Sequence, residues 1–266
     1  MNLYSHQSAN IRKTWILFGV FLVFVIGLGW VFSRVFADPS ILWFAVFFSL
    51  LMNILSYWYS DKLVLAMARA KRIEKRDAPE LYNMVENLSI AAGLRMPGIY
   101  IIPEKAPNAF ATGRNAQHAV VAVTEGLLEK LDRSELEGVL AHELSHIGNR
   151  DMLVSTVAVV LAGFIALLSD FLLRSMWFGG FRRDNDRNGH GSIFAILAVV
   201  LSILAPISAV LIQLAISRKR EFLADASGAL LTRYPEGLAR ALEKIASDRT
   251  PLRAASTATA HLWFDD

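Results

Sequence analysis

The sequence predicts a mainly α-helical integral membrane protein with four membrane helices and polar segments that carry a small β-sheet. Three observations predict it. Of the 266 residues, 54% are hydrophobic and the mean hydropathy is +0.40, an apolar excess that lipid has to share with a core. Four apolar stretches approach or exceed the roughly 20 residues needed to cross a bilayer. The polar segments around them are helical in period apart from three short β-like runs. The same composition excludes other classes. Disorder needs low hydrophobicity. With no cysteine there is neither a disulfide scaffold nor a cysteine nucleophile. A net charge of +3 is too small and scattered for a nucleic-acid partner.

The first two stretches, residues 14–33 and 39–60, are separated only by a short turn containing Arg34 and Asp38, so they form a helical hairpin. The first run is longer than the core of a signal peptide and no small-residue cleavage site follows it, so it is a retained anchor. The third stretch, 152–169, continues past Asp170 to Leu173. The fourth, 191–217, contains Gln213 and Pro206, which kinks it. A buried hairpin of a soluble core is the alternative for this second pair; the length of the fourth stretch favours the membrane.

Trp15, Trp30, Trp43, Tyr57, Trp58, Tyr59 and Trp177 lie near the proposed ends, where amphipathic rings prefer the interface. Arg12 and Lys13, then Lys62, Arg69, Lys71, Arg72, Lys75 and Arg76, then Arg218, Lys219 and Arg220 all fall on the cytoplasmic side if each hairpin enters and leaves there. Arg174, Arg182, Arg183 and Arg187, between the third and fourth stretches, work against that orientation. The expected organisation is an anchoring hairpin over 1–60, a cytoplasmic segment over 61–151, a second hairpin over 152–217 and a C-terminal segment over 218–266.

Within the polar segments, Asp77 is placed to cap a helix with Pro79 in its first turn. That helix runs through Leu81, Met84 and Leu88 and ends near Gly93. Residues 98–102 read as a strand. Residues 108–112 and 119–123 read as two more, flanking a Gly113-Arg-Asn-Ala turn, which signals a hairpin. Residues 124–131 read as helix, and Ser134 with Glu137 has the capping-box spacing that starts another. Residues 218–231 and 236–247 complete the set of helices.

The chemistry is concentrated in His142-Glu143-Leu144-Ser145-His146, inside the helix that Ser134 starts. Positions i and i+4 share a helix face, so the two imidazoles can hold one zinc ion while Glu143 reaches a water on it. Leu136, Val139, Leu140, Leu144 and Ile147 give this helix a buried face, which a solvated helix with two chance histidines would lack. A catalytic zinc needs a third protein ligand and an open position. Cysteine is absent and no histidine follows at short spacing, which leaves a later Glu, Asp or His.

Glu221 begins the run Glu221-Phe-Leu-Ala-Asp225, which places two carboxylates on one helix face. Glu221 can ligate zinc while Asp225 accepts the other N–H of a ligating histidine. The alternative is an exposed acidic face neutralised by Arg218 and Arg220. An even number of crossings between His146 and Glu221 brings them back to one side. Residues 108–112 or 119–123 are candidates for the edge strand that holds an extended substrate, with Asn108, Phe110, Ala111, Thr112 and Gly113 in contact with it; an ordinary buried hairpin is the alternative. Asn149, Arg150 and Arg220 are candidate oxyanion donors. His6, His118, His190 and His261 are isolated and read as surface or satisfied histidines.

Three segments, Pro107-Asn-Ala-Phe-Ala-Thr-Gly113, Leu140-Ala-His-Glu-Leu-Ser-His-Ile147 and Ser217-Arg-Lys-Arg-Glu-Phe-Leu-Ala-Asp225, resemble the HtpX family of membrane zinc metallopeptidases, related to the CAAX prenyl endopeptidases. The resemblance covers nearly the whole chain. It implies a zincin-like (gluzincin) domain, one zinc ion held by His142, His146 and Glu221, Glu143 as general base, and Asp225 as a supporting carboxylate. It further implies a multi-pass protein of the bacterial inner membrane, its site facing the cytoplasm. Its partners would be the lipid bilayer and protein or peptide substrates, in stress-related membrane-protein quality control. Proteins of this type continue past the counterpart of His261-Leu-Trp-Phe, so a shortened C-terminus is expected. A non-catalytic zinc-stabilised adaptor or chaperone is the rival, and the intact Glu143 argues against it. Asn53, Asp170 and Gln213 are too few for the ion pathway of a transporter.

Overall fold

The computed structural model describes residues 3–35, 37–178, 200 and 218–250. Helices α1 (Leu3–Val35) and α2 (Ser40–Met67) form the first hairpin. Asn10–Arg34 and Ser40–Met67 are each long and apolar enough to cross a membrane. Trp15, Val23, Trp43, Phe44 and Phe47 stand on their outer surface, and a contiguous apolar face of that extent is what lipid covers.

The third apolar stretch lies in α6 (Met152–Phe178), which follows α5 (Arg133–Asn149) after a bend of 92°. Val154, Val157, Ala158, Leu161 and Ile165 of α6 are buried in one cluster with Leu17, Phe21 and Val25 of α1 and Ala45 of α2. This helix is therefore covered by the first hairpin over its described first half. Apart from Val200, the fourth apolar stretch, 191–217, lies outside the described residues, as do His190, His261 and positions 251–266.

The small sheet has the order β1-β2-β4-β3, built from β1 (Lys71–Arg72), β2 (Gly98–Ile102), β3 (Ala109–Thr112) and β4 (Val120–Thr124). β2 pairs parallel with β4, and the other two pairings are antiparallel. Alternation of side chains divides the strands cleanly between two cores. Ile99, Ala109, Val121 and Val123 face α3 (Pro79–Ala91), α4 (Glu125–Lys130), α5 and the last described helix, α8 (Pro235–Ser247). Ile102, Phe110, Val120 and Ala122 face the end of α2 through Val64, Leu65 and Ala68. The sheet thus sits between the membrane hairpin and α5. Helix α7 (Arg218–Thr232) packs along α5, where Gly228 meets it closely.

Three expectations are corrected. Asp77 does not cap α3. Proline at the first helical position forces its predecessor out of the helical region, so Ala78, at φ −145°, is the boundary residue, and Asp77 Oδ2 accepts from Glu74 N instead. Nor does Ser134 cap α5. Asp132 does, accepting from Ser134 N and Glu135 N, while the Glu135 carboxylate accepts from Asp132 N. The same box is present two residues earlier, and there Lys244 and Arg240 of α8 neutralise the buried Glu135. Finally, residues 119–123 cannot be an edge, since β4 is paired on both sides; among the described residues the edges are β3 and the two-residue β1.

Candidate metal centre

The capped α5 carries the motif on a rigid, almost fully buried helix. His142 and His146 stand one turn apart with ring centroids 4.8 Å apart and planes at 84°. Their Nε2 atoms lie 3.1 Å from each other. Glu221, at the start of α7, places Oε2 3.5 Å from each of those nitrogens. One turn further along α7, Asp225 Oδ1 is 2.9 Å from His142 Nδ1. Glycine at position 228 permits this approach. A Cβ there would come within 3.1 Å of His142 N and 3.3 Å of the Ala141 carbonyl carbon.

The three inner atoms suit a metal on two independent grounds. A triangle with sides of 3.1, 3.5 and 3.5 Å has a circumradius of about 2 Å, the length of a Zn–N or Zn–O bond. In addition, each imidazole offers its outer nitrogen to a carboxylate: His142 Nδ1 to Asp225, and His146 Nδ1 to Asp151 at 3.1 Å. That arrangement keeps the proton on Nδ1 and leaves the Nε2 lone pairs converging on a third acceptor. Two lone pairs and a carboxylate around one point call for a cation. Among the described residues this is the one group of histidines and carboxylates with such spacing.

The electrostatics agree. Burial pulls the His142 imidazole down, but Asp225 and Glu221 outweigh it and lift it to about 9. His146 is likewise pulled down by burial and lifted well above the usual range by Asp151 and Glu221. Burial pushes the Glu221 carboxyl up, yet its contacts with His142 and His146 hold it well below the usual carboxylate range. Burial raises the Glu143 carboxyl, opposed by His146 and His142 and by the Ala111 N–H that it accepts, and a raised carboxyl suits a group that takes and returns a proton.

The remaining predicted residues are distributed as follows. Asn108 and Thr112 are buried, and Phe110 belongs to the cluster beneath the sheet. Thr124 N donates to Asn108 O, so the backbone groups of 108, 110 and 112 point toward β4 while those of Ala109 and Ala111 face outward. The outward-facing groups along this edge are main chain at alternate positions, and the side chains of Asn108, Phe110 and Thr112 are buried. Arg150 is the left-handed C-cap of α5 at φ 55°, and Asn149 and Arg220 are buried. Sequence reasoning missed Asp151. The left-handed turn at Arg150 brings it back to His146, five positions after its partner. The available signal was that the second histidine also needed a carboxylate.

Residues 75–264 match the profile of peptidase family M48. The chain belongs to peptidase family M48. It is 50% identical over 253 residues to the "Protease HtpX homolog" of Thermococcus sibiricus, covering 94% of this chain and 86% of that one. The homologue of Syntrophobacter fumaroxidans is 53% identical over 218 residues, 81% of this chain and 77% of its own. That of Tropheryma whipplei is 44% identical over 264 residues, 99% and 89% respectively. Among solved structures, Ste24p of S. mikatae superposes with a TM-score of 0.49 at 19% identity, over 96% of this chain and 64% of that one. An M48 peptidase with two apolar helices long enough to cross a bilayer is a membrane metalloprotease. Its partners are the lipid bilayer and protein substrates, and the adaptor reading is not favoured.

Proposed function

We propose that this M48 peptidase is a zinc-dependent endopeptidase, with His142, His146 and Glu221 as the metal ligands and Glu143 as the general base. The observation that carries the reading is the convergence of two imidazole nitrogens and a carboxylate oxygen from helices far apart in sequence. Their outer nitrogens are already occupied by Asp225 and Asp151. A bound zinc ion supplies Lewis acidity, polarising a carbonyl and lowering the pKa of water to about 7. Glu143 takes the proton from the attacking water and returns it to the leaving amine. Asp225 and Asp151 hold the two imidazoles in one tautomer and orientation.

The substrate lies extended along β3, bonded through the outward carbonyls of Ala109 and Ala111 and the main chain near Gly113, because the Ala109 N–H donates to Asn108 Oδ1 and the Ala111 N–H to Glu143. Thr112 and Asn108 hold the strand in place from behind. The Ala111 N–H that meets Glu143 puts this edge beside the base. In this reading the domain is zincin-like and the chain crosses the membrane four times. The catalytic segments face the cytoplasm, on the side where Lys and Arg accumulate. Turnover of damaged membrane proteins under stress is the role that such a site serves.

Metal content and casein cleavage of the purified protein in detergent, wild type beside Glu143→Gln, test this. One zinc in both and cleavage only in the wild type is expected, with a loss of about 10³-fold in the variant. Zinc in both with cleavage in neither would favour the zinc-stabilised adaptor, and wild-type turnover in the variant would remove Glu143 from its role.

A further inference from the structure

The edge strand beside Glu143 is fastened to the membrane hairpin. β3 runs directly into Gly113 and Arg114. The Arg114 guanidinium carbon lies 4.6 Å from the centroid of the Trp58 ring on α2, within cation–π range. Arg114 Nη2 donates to His118 Nε2 at 2.8 Å, and His118 Nδ1 donates to Asn115 Oδ1 at 2.7 Å, so the guanidinium is braced from behind. Gly113 makes the turn possible. Its φ is 141°, and a Cβ would come within 2.5 Å of the His118 carbonyl oxygen. On the other flank, Thr112 Oγ1 is 2.8 Å from Thr156 Oγ1 of α6.

Trp58 also marks a definite height. The Phe18 ring meets Tyr57 at 6.5 Å, and Asn53 Nδ2 donates to Phe18 O at 3.2 Å, which sets the register of α1 against α2. In that register Arg12, Lys13 and Trp15 come level with Tyr57, Trp58, Tyr59, Asp61 and Lys62. Lys62 Nζ lies over the Tyr59 ring at 5.1 Å. Aromatic rings together with the first charges of both helices define the headgroup level. From Arg114 back to Ala111 is three steps of extended chain, roughly 10 Å.

We propose that the Trp58–Arg114 junction is a height gauge. It holds the β3 edge so that the bond offered to Glu143 belongs to a polypeptide segment that has just left the bilayer. Juxtamembrane segments of membrane-inserted polypeptides are then the substrate class, and bonds held far from the surface are poor substrates. The inference rests on the metallopeptidase reading and narrows it.

The test uses the full chain in phosphatidylcholine proteoliposomes. The substrates are single-span proteins that carry one cleavable sequence behind stiff proline-rich spacers of about 4, 8 and 16 residues, each residue adding about 3.1 Å. A soluble peptide of the same sequence is cleaved in parallel. The wild type is expected to lose about tenfold or more in kcat/KM from the shortest to the longest spacer. Trp58→Ala is expected to flatten that ratio to within about threefold while leaving cleavage of the soluble peptide within about twofold. Arg114→Gln, which removes the cation and keeps the ring, should act like Trp58→Ala. Equal wild-type cleavage at all spacers, or full preference retained in both variants, would overturn the gauge alone. Failure of the wild type to cut even the soluble peptide would overturn the metallopeptidase reading and the gauge with it.

Discussion

Asp151 shows how much a single residue contributes to the proposed centre. It is buried, it meets His146 Nδ1 at 3.1 Å, and its charge acts on the buried Arg220. Carboxylates that orient a metal-binding imidazole typically change metal affinity by about 10–100-fold. Asp151→Ala is therefore expected to weaken zinc binding by about that factor in a chelator competition, with the helical circular dichroism unchanged. Wild-type affinity would mean that His146 needs no outer partner. Asp225 was visible in the sequence because it shares a helix with Glu221. Asp151 was not, because its approach depends on the left-handed Arg150 at the end of α5.

At the scale of elements, the site is the contact between α5 and α7. Most of α5 was legible: the motif, the buried face of Leu136, Val139, Leu140, Leu144 and Ile147, and its place ahead of an apolar helix. Its cap was misread because two overlapping frames, Asp132/Glu135 and Ser134/Glu137, satisfy one pattern. Tertiary partners on α8 pair with Glu135 of the first frame. Similarly, the strands 98–102, 108–112 and 119–123 were legible as runs. Which was the edge depended on β2 inserting its pairing on β4, a long-range choice that alternation cannot encode. The seam at Gly228 makes the contact testable. A larger side chain meets the α5 backbone at 3.1–3.3 Å, and overpacking of this kind costs about 1–3 kcal/mol. Gly228→Val is expected to move Glu221 and Asp225 away from the histidines, losing zinc while the protein stays folded. Zinc retained at full stoichiometry would show that α7 can shift without harm.

For the whole molecule, the proposed metal ties the chain before α6 to the chain after residue 217. A ligand that binds only the folded state stabilises it by about 4 kcal/mol at a thousandfold excess over its Kd. Removal of zinc by a chelator is therefore expected to lower the Tm of the protein in detergent, and zinc is expected to restore it. An unchanged Tm would mean that the α5–α7 contact holds without the ion. The meeting of Glu221 with the two histidines requires the intervening chain to leave and return to one place.

By itself the sequence determined what local pattern and composition control. Those are the apolar helices, the strand runs, the His-Glu-x-x-His face and the Glu221/Asp225 pair, because period, capping chemistry and hydropathy act over a few residues. Only the tertiary structure decided which strand is the edge, which carboxylate serves His146, and how Trp58 meets Arg114. Each of these depends on groups distant in sequence and brought together by packing, and no local periodicity carries that information.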